Sequence, residues 1–311
     1  MKTRSLILPA VLILFVLAGC RGTGGAPGSM ARDEDPADFA TRRLREEGQA
    51  REEEGDFRSA LRSYRALVRD YPRSPLAPEA QFRIGVCLEE IDDLYAAFQA
   101  YQTLLEQYPG KGSLSEIVQR QYEIGEAYLQ GRKRWFLFLR IRSGLSRAEE
   151  IFRTVVRNAT FSPVSARAQY GLACSLQLRG DYPEAILEYE QVLLNYPGSE
   201  VYGPAIFGIG LCYYQESLRA DYDQREVDEA IRHLGRFIRA FPDDPDRGRA
   251  EEMLGELRDR QAEKSYRIAR YYEKNSSPQG ARIYYREVAE RYPESIYAAE
   301  ARAKLEQLPE D

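Results

Sequence analysis

The sequence predicts an all-α solenoid of about six stacked helical hairpins closed by a C-terminal capping helix, and three observations predict it. First, Ala166 to Ser199 reads as two amphipathic halves, with apolar or small residues three and four apart on either side of a break at Arg179-Gly180-Asp181-Tyr182. Second, the same template recurs along the chain. A small residue marks the first helix at Gly48, Gly85, Gly125, Ala173, Gly210 and Ala269, and an alanine marks the second at Ala60, Ala97, Ala148, Ala185, Ala230 and Ala281. A large residue follows four places later, at Tyr64, Tyr101, Phe152, Tyr189, Leu234 and Tyr285. Third, each second helix meets a stop at Pro72, Pro109, Thr160, Pro197, Pro242 or Pro293, and proline cannot continue a helix.

This is the tetratricopeptide pattern of about 34 residues per helix-turn-helix unit. One such hairpin cannot cover its own apolar face, so neighbours stack and share a continuous core. Small residues where two helices cross let the backbones approach. Residues 38–311 read as this solenoid.

The chain opens differently. Lys2 and Arg4 precede an apolar run from Leu6 to Leu17, which is shorter than the ~20 residues a membrane span needs and has the plan of a secretory signal, residues 1–19. Leu17-Ala18-Gly19-Cys20 looks like a bacterial lipobox, whose cysteine becomes the acylated first residue. Several acyl chains, at about 0.8 kcal/mol per buried methylene, hold a protein to a membrane essentially permanently. Arg21 rather than aspartate after the cysteine resembles lipoproteins sent to the outer membrane. Residues 20–37 are rich in Gly, Pro and charge and read as a tether.

Repeats one and two, about Asp38 to Pro72 and Arg73 to Pro109, are regular, and Ser113 with Glu116 reads as a capping box at the next helix start. Repeat three carries extra residues between its helices, Gly131 to Arg142, with the single tryptophan and a basic rim. Arg134, Trp135, Phe136, Phe138 and Arg140 are the candidate partner-contact residues there, because tryptophan and arginine anchor protein interfaces and a basic aromatic segment also suits an anionic membrane. The competing reading is an insert tucked back into the solenoid. Repeat five has a polar stretch, Leu218 to Val227, that reads as a solvated loop, and its second helix holds the single histidine, His233, which alone makes neither a metal site nor a catalytic dyad. Asp246 to Lys274 reads as one long helix or a kinked pair, and Ser295 to Leu308 as the cap.

Composition narrows the function classes. The 311 residues carry a formal charge of −5, or 42 basic against 49 acidic once Lys2 and Arg4 are removed with the signal, so no basic face calls for nucleic acid. Cys87, Cys174 and Cys212 sit on first helices near one repeat position, and helix axes ~8–10 Å apart rarely allow the ~4.4–6.8 Å Cα separation of a disulfide. They read as small core residues. No Gly-x-Ser-x-Gly, His-Glu-x-x-His, Cys-x-x-Cys or calcium-loop spacing occurs, so no catalytic residue, metal ligand or cofactor is expected. The carboxylates, such as Glu46 to Glu54 and Glu251 to Lys264, read as solvated helix faces paired with nearby Arg and Lys.

A lipobox followed by repeats joined through Tyr-Pro-x-Ser, at Tyr71 to Ser74, Tyr196 to Ser199 and Tyr292 to Ser295, resembles the BamD family of outer-membrane assembly lipoproteins. The stretch Asp228 to Leu305 carries the resemblance furthest, in Ala230-x-x-x-Leu234-x-x-Phe237-x-x-x-Phe241-Pro242, Leu257 to Ala262 and Ala269-Arg270-Tyr271-Tyr272. The resemblance implies a lipid-anchored periplasmic scaffold at the outer membrane that binds a β-barrel insertase, with other assembly lipoproteins and unfolded outer-membrane proteins as further partners. Six repeats rather than the family's usual five, and the basic aromatic insertion, depart from it. The alternative is an envelope-structural repeat lipoprotein of Tol-Pal, cell-division or pilotin type, which shares the Tyr-Pro-x-Ser joints.

Overall fold

Asp35 opens the first helix by accepting a hydrogen bond from the Ala37 amide at 3.0 Å, and Pro36 follows where a missing N–H leaves no bond unmade. The computed structural model describes residues 35–131, 139–160, 162–218 and 224–309, and among them there are thirteen helices and no strand. They are α1 (Pro36–Glu53), α2 (Phe57–Asp70), α3 (Ala77–Glu90), α4 (Leu94–Gln107), α5 (Leu114–Leu129), α6 (Leu139–Asn158), α7 (Pro163–Arg179), α8 (Tyr182–Asn195), α9 (Tyr202–Ser217), α10 (Gln224–Ala240), α11 (Arg247–Lys274), α12 (Pro278–Arg291) and α13 (Ala298–Gln307). Ser113 and Ser162 cap α5 and α7 by accepting from the amides of Glu116 and Ser165, at 3.3 and 3.1 Å. Gly180 ends α7 with φ +90°, a left-handed turn that glycine adopts without steric cost.

Each helix packs on its sequence neighbours, and the first helices of later hairpins also touch in series, α5 with α7, α7 with α9 and α9 with α11. That one-dimensional stacking is the tetratricopeptide solenoid the periodicity predicts. Its crossings are built as the template requires. All six second-helix alanines are fully buried. A Cβ added at Gly48 would lie 2.6 Å from the Tyr64 ring, at Gly85 2.6 Å from Tyr101 Cζ, at Gly125 2.7 Å from Phe152, and at Gly210 2.9 Å from Leu234. Phe152 and Tyr189 are also met from the following repeat, by Gly171 at 2.7 Å and Gly208 at 2.5 Å, a second glycine position that the template did not contain.

The core falls into three clusters that share helices. Ala205, Ile209 and Cys212 of α9 belong to the first cluster, while Ile206, Phe207 and Leu211 on its other side belong to the second. A helix apolar on every side is one buried on every side. Helix α11 does the same further on, giving Ala250, Met253 and Leu257 to the second cluster and Ala262, Tyr266 and Ala269 to the third. It is one continuous helix of 28 residues, as the spacing allowed, and α13 closes the stack with Ala298 and Ala301 buried.

Two expectations are corrected. The polar stretch of repeat five is not loop throughout, because α10 already begins at Gln224 and Val227 is buried in the second cluster. Nor are the carboxylates all solvated: the Glu52 side chain is 8% exposed and pairs with Arg83 of the next repeat.

Candidate interaction surface

The crossing position organises what the first helices present. Three residues before it, five of the six first helices carry an aromatic: Phe82, Tyr122, Tyr170, Phe207 and Tyr266. Four of these meet the large ring of their own second helix, with centroids at 5.7 Å for Phe82–Tyr101, 5.8 Å for Tyr122–Phe152, 5.6 Å for Tyr170–Tyr189 and 5.6 Å for Tyr266–Tyr285. In repeat five the large residue is Leu234, and Phe207 instead meets Phe237 at 5.1 Å. Arginines from the following first helix lie over three of the rings: Arg120 over Phe82 at 5.5 Å, Arg167 over Tyr122 at 4.8 Å and Arg249 over Phe207 at 5.5 Å.

Four residues after the crossing stands the partner for the tyrosine hydroxyl. Tyr101 donates to Glu89, Tyr189 to Gln177 at 2.6 Å and Tyr285 to Glu273 at 2.7 Å, each twelve residues back. The carboxylates then take a cation 31 residues onward, in the next repeat: Arg83 on Glu52, Arg120 on Glu89 at 3.4 Å and Lys304 on Glu273 at 2.9 Å. Gln177 is neutral, and 31 residues after it stands Gly208, with no side chain to offer. Where the large residue lacks a hydroxyl, at Phe152 and Leu234, the position four after the crossing residue, Gly125 or Gly210, is not an acceptor of this kind but Leu129 or Tyr214.

Such an arrangement positions surfaces and holds few reactive groups. Burial pushes the Tyr101 and Tyr285 hydroxyls well above their ordinary range, and the Tyr285 hydrogen bond, then Lys304, lowers Glu273. Burial likewise pushes the Cys87 and Cys212 thiols up to about 12, which keeps them from acting as thiolates, and both are free and fully buried, as small core residues would be. His233 is buried, stacked on Tyr213 with centroids at 6.0 Å, and held neutral, with burial lowering it to about 4. An open cleft of about 450 Å³ between α1 and α3 is lined by Gln49, Glu52, Glu53, Arg83, Val86 and Glu90 among others. Among the described residues no group of His, Cys, Asp and Glu could hold a metal ion, and no helix is long and apolar enough to cross a membrane.

The sequence-predicted sites fall elsewhere. Cys20, Arg134, Trp135, Phe136 and Phe138 lie outside the described residues; Arg140 lies in the first turn of α6, and its side chain is outside them too. Sequence reasoning missed the ladder of aromatics, tyrosines and cations, whose signal was the constant offset of three before and four after each crossing residue.

Against known families, residues 141–310 match the model of the YfiO outer membrane lipoprotein family, which is more than half of the chain. The chain belongs to the YfiO family of outer membrane lipoproteins. Residues 45–111 match a tetratricopeptide-repeat family, so this YfiO-family protein carries its repeats on both sides of the insertion. A curated relative, outer membrane protein assembly factor BamD of Caulobacter vibrioides, is 24% identical over 196 residues, covering 63% of this chain and 63% of that protein's length. Tetratricopeptide repeat protein 37 of Xenopus laevis is 33% identical over 126 residues, covering 39% of this chain and 7% of that one. Among solved structures, a tetratricopeptide repeat protein from Parabacteroides merdae is 15% identical, covering 86% of this chain and 98% of that one with a TM-score of 0.39. The YfiO-family chain is thus a BamD-like tetratricopeptide-repeat protein of the outer membrane.

Proposed function

We propose that this protein is a non-enzymatic scaffold of the β-barrel outer-membrane assembly machinery, anchored through acylated Cys20 and facing the periplasm. Its task is to hold the periplasmic domains of the insertase, beside other assembly lipoproteins and unfolded outer-membrane proteins. The observation that carries this reading is the family match over residues 141–310, which takes in the shared helix α11, the last hairpin and α13. The BamD relative, named as an assembly factor, supports it. The architecture suits the role, since a solenoid displays a long row of first-helix side chains at fixed spacing while its core keeps titratable groups neutral or paired. Arg134, Trp135, Phe136, Phe138 and Arg140 are the proposed partner contacts of the insertion.

The test is purification of the tagged lipoprotein from its native envelope in mild detergent, with the co-purifying proteins identified. A stoichiometric outer-membrane insertase is expected, and Trp135→Ala is expected to weaken its recovery. Recovery of division or peptidoglycan-associated proteins without an insertase would overturn the reading.

A further inference from the structure

We propose that the outer face of α2 docks on the phosphates of anionic phospholipid headgroups at the membrane that holds the chain, an inference that rests on acylation of Cys20. Arg58, Arg62, Arg65 and Arg69 stand at i, i+4, i+7 and i+11, which places all four on one side of the helix, and all four are exposed. The opposite side is core, with Ala60, Leu61, Tyr64 and Leu67 buried. No carboxylate lies between Asp56 and Asp70. Arg62 donates to Ser59 Oγ at 2.7 Å and Arg69 pairs with Asp70 at 2.7 Å, whereas Arg58 and Arg65 form no ion pair with any of the described residues. Like charges one helical turn apart destabilise a helix, so a pure arginine row is maintained at a cost.

No general basicity explains the row, because the chain is acidic overall. Nor is it a property of every second helix: α4 and α8 contain neither Lys nor Arg, α6 and α12 set carboxylates among their arginines, and in α10 Glu229 stands between Arg225 and Arg232 and pairs with Arg232. Its place in the chain matters as well. Cys20 and Asp35 are separated by the fourteen residues 21–34, which reach at most about 50 Å, so the first hairpin is the one the anchor keeps nearest the bilayer. Helices α1 and α2 run antiparallel across a short turn, so the chain arriving at Asp35 enters at the end where Arg69 stands, with exposed Arg73 just beyond α2. Phe39, 57% exposed in the first turn of α1, lies at that same end and suits the headgroup–acyl boundary. Guanidinium groups match phosphate oxygens in pairs, and a row of them adds attraction charge by charge.

The test uses the full mature lipoprotein reconstituted into vesicles of phosphatidylcholine with or without phosphatidylglycerol. A fluorophore on Ala66→Cys, in α2 beside the row, reports contact through a headgroup-borne quencher. Quenching is expected in the anionic vesicles alone, lost at high salt, weakened about fivefold for each arginine changed to glutamine, and abolished in the variant carrying Arg58→Gln, Arg62→Gln, Arg65→Gln and Arg69→Gln with its helical melt intact. Flotation with both vesicles but equal quenching in both, or none in either, overturns the docking alone. Flotation with neither overturns the anchor and the docking together. Quenching that needs added envelope proteins overturns it in favour of an acidic protein partner.

Discussion

The hydroxyl of Tyr285 donates to Glu273 at 2.7 Å across the last hairpin, and the same carboxylate takes Lys304 of the capping helix at 2.9 Å. One side chain thereby ties the two helices of a repeat to each other and to the element that follows. Tyr101, Glu89 and Arg120 repeat the triad two hairpins from the other end, at the same spacings of twelve and 31. The ladder is a consequence of the repeat length, and it makes neighbouring repeats depend on one another beyond their apolar contact.

Gly85 gives the first prediction. A methyl group there would stand 2.6 Å from Tyr101 Cζ, with the ring itself fully buried and unable to swing away. Gly85→Ala is expected to destabilise the protein by about 1–3 kcal/mol despite its better helix propensity, and Gly85→Leu by more. Urea unfolding followed by circular dichroism checks it; an unchanged midpoint for Gly85→Leu would refute the crossing.

A second follows from the pairing of large residue and acceptor. Phe152 is fully buried, and the residue four after its crossing glycine Gly125, where the other repeats place the acceptor, is Leu129, so Phe152→Tyr buries a hydroxyl without the usual acceptor. A loss of about 1–3 kcal/mol is expected. Adding Leu129→Gln recreates the Tyr189–Gln177 pair, and the double variant should recover most of the loss in a thermodynamic cycle.

The third concerns acid. His233 is buried and lowered to about 4 by burial and then by Arg232, with Arg236 acting the same way and Glu229 opposing. Unfolded chains take up this proton near the ordinary value of 6.5 while the folded imidazole stays neutral, so the full stability is present above that pH. It falls as pH drops from 6.5 toward 4, by up to about 3 kcal/mol. His233→Phe keeps the stack on Tyr213 and removes the titration; its unfolding free energy measured from pH 7 to 4 should be flatter by that amount.

Cysteine reactivity supplies the fourth. Cys87 and Cys212 are fully buried with thiols pushed up to about 12, and Cys87 donates to Glu52 at 3.1 Å. Alkylation with iodoacetamide at neutral pH should leave both intact in the native protein and modify both in denaturant, as read by peptide mass mapping. Rapid native labelling of Cys212 would contradict its place in the shared wall of α9.

Much of this fold was legible because a repeat prints the same packing problem several times. Gly48, Gly85 and Gly125 share one reason to be small, and five prolines share one reason to follow a helix. Helix α11 was legible in outline, since Asp246 to Lys274 reads as one long helix or a kinked pair, and its continuity came from the structure. The ladder was harder to see, since Glu52, Glu89 and Glu273 look locally like any exposed helix carboxylate, and only contact with a residue 31 positions on distinguishes them. Gln224 to Val227 misled because polar sequence next to an insertion favours loop, while burial of the one valine against the second core was enough to extend α10. The arginine row of α2 was present in the letters, and the template that located the core ignored the side facing away from it.

Helix α11 has a mechanical consequence. At about 42 Å for 28 residues it is the longest described helix, and both the second and third cores grip it, at Leu257 on one side and Tyr266 little more than two turns later. It therefore works as an axle instead of a hinge: torque applied by anything held against α12 or α13 is delivered to α9 and α10 without a joint to absorb it. A protein that must keep two attached bodies at a fixed angle gains from that stiffness, and a glycine pair set into α11 between the two grips would give each body its own orientation.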